Sequence, residues 1–84
     1  MSESPLQDAA PGMSTLIKRS FSLAGHRTSV ALEPAFWDAL TALAAQRGES
    51  LSTLVAQVDG NRQPDHPLAS ALRVLALLEA PRKS

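Results

Sequence analysis

The stretch Arg27-Thr28-Ser29-Val30-Ala31-Leu32 decides the fold. It alternates with the two-residue period of a β-strand, so Thr28, Val30 and Leu32 point to one face and Arg27, Ser29 and Ala31 to the other. Branched and aliphatic groups on one side, with small or basic groups on the other, describe a half-buried strand. A strand of six residues leaves its own backbone groups unpaired, and an open edge is unstable. Its simplest partner is the same strand of a second chain, antiparallel across a two-fold axis. Centred on Ser29, that pairing sets Arg27 opposite the other copy's Ala31 and keeps like charges apart. Upstream, Ser20-Phe21-Ser22-Leu23 alternates as well, and Ala24-Gly25 can turn the chain between two short strands. Whether Ser20–Leu23 pairs with the following strand, with another subunit, or not at all stays open at this level.

Downstream the period changes to that of helices. Pro34 stands at a first-turn position, where its missing N–H costs nothing. Leu32 and Trp37 are spaced as a hydrophobic staple. Phe36, Trp37, Leu40, Leu43 and Ala44 form an apolar stripe that Gly48 ends. Ser50 is a good N-cap for a second helix, with Leu51, Leu54, Val55 and Val58 in period and Asp59-Gly60-Asn61 as its stop. Residues 61–66 read as a loop. Pro67 opens a third helix with Leu68, Ala71, Leu72, Leu75 and Leu78 on one stripe and Val74 and Leu77 off it. A helix apolar over more than one face has too much to hide in so small a chain, so part of it is expected to be shared between subunits. Residues 1–15, with Pro5, Pro11 and Gly12, read as a mobile arm; residues 81–84 read as a solvated end. Between them, 16–80 form one domain.

Eighty-four residues allow one small domain, and 44% hydrophobic against 19% charged residues is enough apolar material to fold. A core of this size is marginal without a staple, and with no cysteine the staple is neither a disulfide nor a thiolate-bound metal. A second copy of the chain is the remaining device. No apolar run is long enough to span a bilayer and no secretory signal is visible, so a cytoplasmic protein with no membrane partner is expected.

The net charge is zero, but its distribution is uneven. Lys18, Arg19 and Arg27 fall between Leu16 and Leu32 with no acidic residue among them and with His26 beside them. The remaining segments hold the other five basic residues and all eight acidic ones. A basic segment of +3 therefore sits on a body of −3, and a polyanion responds to the local charge.

Catalytic signals are weak. His26 and His66 are forty residues apart, no strand–turn–helix elbow presents a nucleophilic serine, and glycines are scattered singly. Two lone histidines without helical spacing to a carboxylate make no metal site. No enzyme activity, metal or cofactor is expected.

The run Arg27-Thr28-Ser29-Val30-Ala31-Leu32-Glu33-Pro34-Ala35-Phe36-Trp37, followed by Gly48-Glu49-Ser50-Leu51-Ser52-Thr53-Leu54-Val55, resembles the ribbon-helix-helix superfamily of Arc and MetJ. Lys18-Arg19-Ser20, Gly25-His26-Arg27-Thr28-Ser29 and Ser70-Ala71-Leu72-Arg73-Val74 look like a bacterial branch of it. The resemblance covers residues 16 to 80. It implies an α+β, mostly α fold with an intermolecular antiparallel two-stranded ribbon and an additional C-terminal helix, in an intertwined homodimer. It further implies a ribbon that enters the major groove of double-stranded DNA through Arg27, Ser29 and Ala31. The start of the second helix, Ser50, Leu51 and Ser52, would then grip a phosphate, as free N–H groups at a helix start bind anions. The chain departs from the family in two places. Ala31 offers no hydrogen bond to a base, and an extra basic segment, with Lys18 and Arg19, precedes the strand and can add phosphate contacts.

The expected function is that of a small DNA-binding transcriptional regulator. The rival is a protein–protein module of the same fold without DNA, which zero net charge, Ala31 and the doubly apolar third helix favour. In either case Val30, Leu32, Trp37, Leu40, Leu54, Val55, Val58, Leu72 and Leu75 are expected in a dimer core, with Leu54 and Val55 buried only once two chains combine.

Overall fold

A computed structural model describes residues 15–81. The element order is β1 (Ile17–Leu23), β2 (His26–Leu32), α1 (Pro34–Gln46), α2 (Leu51–Asn61) and α3 (Leu68–Glu79). This order bears out the α+β, mostly α class with its additional C-terminal helix. Of the arm expected over 1–15 and the end expected over 81–84, all but Thr15 and Pro81 lie outside the described residues.

One part of the expectation is corrected. The ribbon forms within a single chain: β1 pairs antiparallel with β2, from Leu23 opposite His26 to Ile17 opposite Leu32. Ala24 and Gly25 make the turn, with φ of 51° and 83°. Two successive positive φ values are what a type I′ two-residue hairpin turn requires, and its twist matches the twist of the strands it joins. Gly25 adopts such a backbone freely, whereas Ala24 does so at a steric cost. The alternation of Ser20–Leu23 was the signal for this strand. It supplies the hydrogen-bond partner that the reading of a solitary strand sought in a second chain.

The hairpin packs its inner face on the helices. Phe21, Leu23, Val30 and Leu32 are buried there, joined by Trp37, Leu40, Leu43 and Ala44 of α1, Leu54 and Val55 of α2, and Leu68, Leu72 and Ala76 of α3. The expected staple is present, since Leu32 precedes the cap of α1 and Trp37 lies in its first turns, both buried. Gly48, at φ 72°, ends α1. Its N–H reaches the Ala45 carbonyl, and the next N–H, of Glu49, reaches that of Ala44, so the last carbonyls of the helix are satisfied. Ser50 caps α2 through its hydroxyl, which accepts from the Thr53 N–H at 3.0 Å. That helix runs through Asp59 and Gly60 and ends at Asn61, the last residue of the expected stop.

Of the nine expected dimer-core residues, Val30, Leu32, Trp37, Leu40, Leu54, Val55 and Leu72 are buried within one chain, and Val58 and Leu75 pack partly buried against them. Leu54 and Val55 are fully covered without a second copy, which corrects the expectation that their core exists only in a dimer. The reason is that β1 and α3 close the two sides that the reading had left open. Helix α3 also sits rotated from the expected stripe. It buries Leu68, Leu72 and Ala76, and leaves Val74, Leu77 and Leu78 exposed.

Candidate nucleic-acid interface

Register decides which side chains share the solvent face of the hairpin. Val30 and Leu32 are buried on the inner side, so the residues alternating with them, Arg27, Ser29 and Ala31, face out. Residues opposite each other across an antiparallel pair lie on one face, which adds Ser22 opposite Arg27, Ser20 opposite Ser29 and Lys18 opposite Ala31. The outer face is thus Lys18, Ser20, Ser22, Arg27, Ser29 and Ala31. All are exposed except Ala31, which is half-buried.

The centre of this face is a pair of hydroxyls, Ser20 Oγ and Ser29 Oγ, 3.1 Å apart. Lys18 and Arg27 flank it diagonally, about 14 Å apart along the ribbon at roughly 3.4 Å per residue. Neither cation has a carboxylate partner among the described residues, and the face carries no acidic side chain. Every other described arginine is engaged. Arg47 pairs with Glu79 at 2.8 Å, Arg62 with Asp59 at 3.0 Å and Arg73 with Glu33 at 3.0 Å. Arg19 lies over the Trp37 ring, 5.4 Å from its centroid.

Arg19 separates from Lys18 for the same alternation reason. It stands opposite Val30, on the inner side of the ribbon, so the two adjacent basic residues serve different faces. The contact with Trp37 keeps Arg19 exposed at the rim of the core, away from the six outer residues. Ser20 and Ser22 are the outer-face residues that sequence reasoning missed. Their alternation with Phe21 and Leu23, combined with a two-residue turn, fixes the register that finds them.

The start of α2 forms a separate element. It lies beyond the far end of α1, which is about 20 Å long at 1.5 Å per residue. Ser50 Oγ is occupied, accepting from the Thr53 N–H and lying 2.9 Å from Thr53 Oγ1. The N–H groups of Leu51 and Ser52 find no acceptor among the described residues. Beside them Glu49 accepts from Gln57 Nε2 at 2.9 Å, while its Oε2 is enclosed without a hydrogen-bond partner. The structure therefore brings Lys18, Arg27, Ser29 and Ala31 together and leaves Arg19 and Ser50–Ser52 apart from them. Among the described residues no cluster of three potential metal ligands occurs, and no helix is long and apolar enough to cross a membrane.

A hairpin with one polar, acid-free face, feeding directly into a pair of helices, defines a small ribbon-and-helix domain. A family profile described as "Ribbon-helix-helix domain" matches residues 16–80, and the chain belongs to that family. Such domains are generally DNA-binding regulators, typically dimeric and non-enzymatic. Among solved structures the chain is similar to an uncharacterized protein from Bordetella pertussis Tohama I. The TM-score is 0.66 and the identity 27% over 90% of this chain. The match spans 66% of that protein's length. No curated protein sequence matches.

Proposed function

We propose that this protein is a transcriptional regulator that lays the outer face of its hairpin in the major groove of duplex DNA. The observation that carries the reading is the composition of that face: two unpaired basic residues, three hydroxyls and an alanine, with no carboxylate. A two-stranded antiparallel ribbon is narrow enough to enter the groove, and here one chain supplies both strands. In this reading Arg27 donates two hydrogen bonds to a guanine edge, Ser29 contacts a base edge through its hydroxyl, and Ala31 meets a thymine methyl. Lys18 neutralises a backbone phosphate, while the free amides of Leu51 and Ser52 hold another, with Ser50 fixing the turn that presents them. Arg19 contributes long-range attraction from the ribbon's edge. The protein works in the cytoplasm and needs neither cofactor nor metal.

The second reading, an interaction module without DNA, is favoured by the exposed apolar side chains of α3. One experiment separates the two. The DNA reading expects the protein to bind a mixed-sequence duplex at low ionic strength. Lys18 neutralises one phosphate per bound chain in this reading, so the log–log salt slope should be about −1 for each chain bound. Arg27→Ala should weaken binding at least tenfold with the assembly state unchanged. Absence of salt-dependent binding to any duplex would leave the interaction module.

A further inference from the structure

We propose that the hollow between α2 and α3 binds a small amphipathic carboxylate, a free molecule with one anionic head and a short linear apolar tail. The inference does not depend on DNA binding. The hollow has a volume of about 490 Å³, within the roughly 300–1,000 Å³ of small-molecule pockets. Leu54, Val58 and Leu75 give it an apolar floor. Ala71, Val74 and Leu78 extend that floor along one side of α3, and Val74 and Leu78 are 47% and 75% exposed. From Ala71 to Leu78 the helix advances about 10 Å at 1.5 Å per residue, a track for a linear tail. A hydrocarbon laid on it takes apolar surface out of water.

The polar part of the lining decides the head and its place. Along α2 the amides are occupied: Gln57 Nε2 donates to Glu49 at 2.9 Å, and Asn61 Nδ2 to the Gln57 carbonyl at 2.9 Å. At the last residue of α3, Glu79, the Arg47 guanidinium is bridged at 2.8 Å, so that end is locally neutral. The loop before α3 differs. Arg62, Gln63 and His66 line the hollow there and no carboxylate does, since Asp59 and Asp65 lie outside the lining.

Arg62 is held from behind. Its Nε donates to Asp59 at 3.0 Å and its Nη1 to the His66 carbonyl at 2.8 Å. Its Nη2, the Gln63 amide and the His66 ring make no hydrogen bond among the described residues. A guanidinium fixed in position with N–H groups to spare, beside two further polar groups, is a seat for a carboxylate. An ammonium head on the same tail would be repelled there.

Titrating octanoate into the isotope-labelled full chain, followed by amide shifts, tests the proposal. So small a probe should bind with a dissociation constant of the order of 1 mM. The shifts should saturate and gather at Arg62, Gln63, His66 and residues 71–78. Octylamine should bind at least about tenfold more weakly, and Arg62→Gln should cost octanoate about tenfold while leaving octanol unaffected. Gln63→Ala/His66→Ala should also weaken octanoate, which reads the head seat without disturbing Arg62. Ala71→Phe fills the hollow and should abolish binding, with unmoved hairpin amides marking an intact fold. Absence of saturable binding would overturn the proposal, as would equal affinity for octylamine or shifts confined to Lys18 and Arg27. So would folded head-seat variants that bind like the wild-type chain. Hollow amides that move with protein concentration instead of octanoate would give the site to a second copy and overturn it too.

Discussion

The indole Nε1 of Trp37 donates a hydrogen bond of 2.7 Å to the carbonyl of Ile17, tying the first residue of β1 to α1. The same ring packs against Phe21, with centroids 5.9 Å apart, and lies under the Arg19 guanidinium. One side chain thus holds both the start and the middle of β1 on the helices. Trp37→Phe keeps an aromatic ring but removes the donor and leaves a small void. The expected loss is about 1–3 kcal/mol of unfolding free energy, read from urea denaturation, with β1 amides exchanging faster than those of α2.

The turn makes a second prediction. Ala24 occupies a left-handed backbone conformation at φ 51°. Relieving roughly 1–2 kcal/mol of strain with glycine, against roughly 0.5–1 kcal/mol of added chain entropy, leaves a net gain of about 0.5–1 kcal/mol. Ala24→Gly should therefore raise the melting temperature by a few degrees in a domain of this size. A lower melting temperature would show that this turn is not the one the chain makes.

The absence of cysteine allows a direct test of which strands pair. Ser20 and Ser29 face each other with their hydroxyls 3.1 Å apart, a separation from which two cysteines can bridge. Oxidised Ser20→Cys/Ser29→Cys should run as a cross-linked monomer on non-reducing gels, and Ser29→Cys alone should stay largely free. Ready dimerisation of Ser29→Cys would restore the two-chain ribbon centred on that residue.

Glu33 governs part of the acid response. Its own backbone amide first, and then the Arg73 guanidinium beside it, hold its carboxyl below the usual 4.5. Arg73 reaches it through Nε and Nη2 at 3.1 and 3.0 Å, joining the end of the ribbon to α3. A carboxyl depressed in the folded state binds more protons when unfolded. Its contribution is therefore complete above about pH 4.5 and is lost as the pH falls through the lower folded value. Denaturation followed from pH 6 downward should show a shallower acid decline for Glu33→Gln than for the wild-type chain. Equal slopes would remove Glu33 from the account.

Much of this molecule is legible in the chain because local rules agree. Pro34, Gly48 and Ser50 mark helix ends that the structure places at or within two residues of them. The alternation through Arg27–Leu32 assigned the inner and outer sides correctly. The pairing partner was not legible, because alternation fixes which face a residue takes and says nothing about which chain supplies the second strand. Phe21 and Leu23 are the residues that reveal it, since both bury only when β1 folds back on β2. Arg19 shows the complementary limit. Its place over Trp37 depends on a contact 18 residues away, and its neighbour Lys18 goes to the opposite face of the ribbon. For α3 the period was read from the apolar residues alone, and with apolar groups nearly all round that could not choose between Leu72–Ala76 and Leu75–Leu78 as the covered side.

The outer face of the hairpin is the centre of the account, and amide shift mapping with a duplex tests it most directly. Titrating a mixed-sequence duplex into the labelled protein at low salt should move the amides of Lys18, Ser20, Ser22, Arg27, Ser29 and Ala31 most, and the effect should fade as salt is added. Shifts confined to Val74–Leu78, or none at all, would contradict a DNA-reading ribbon.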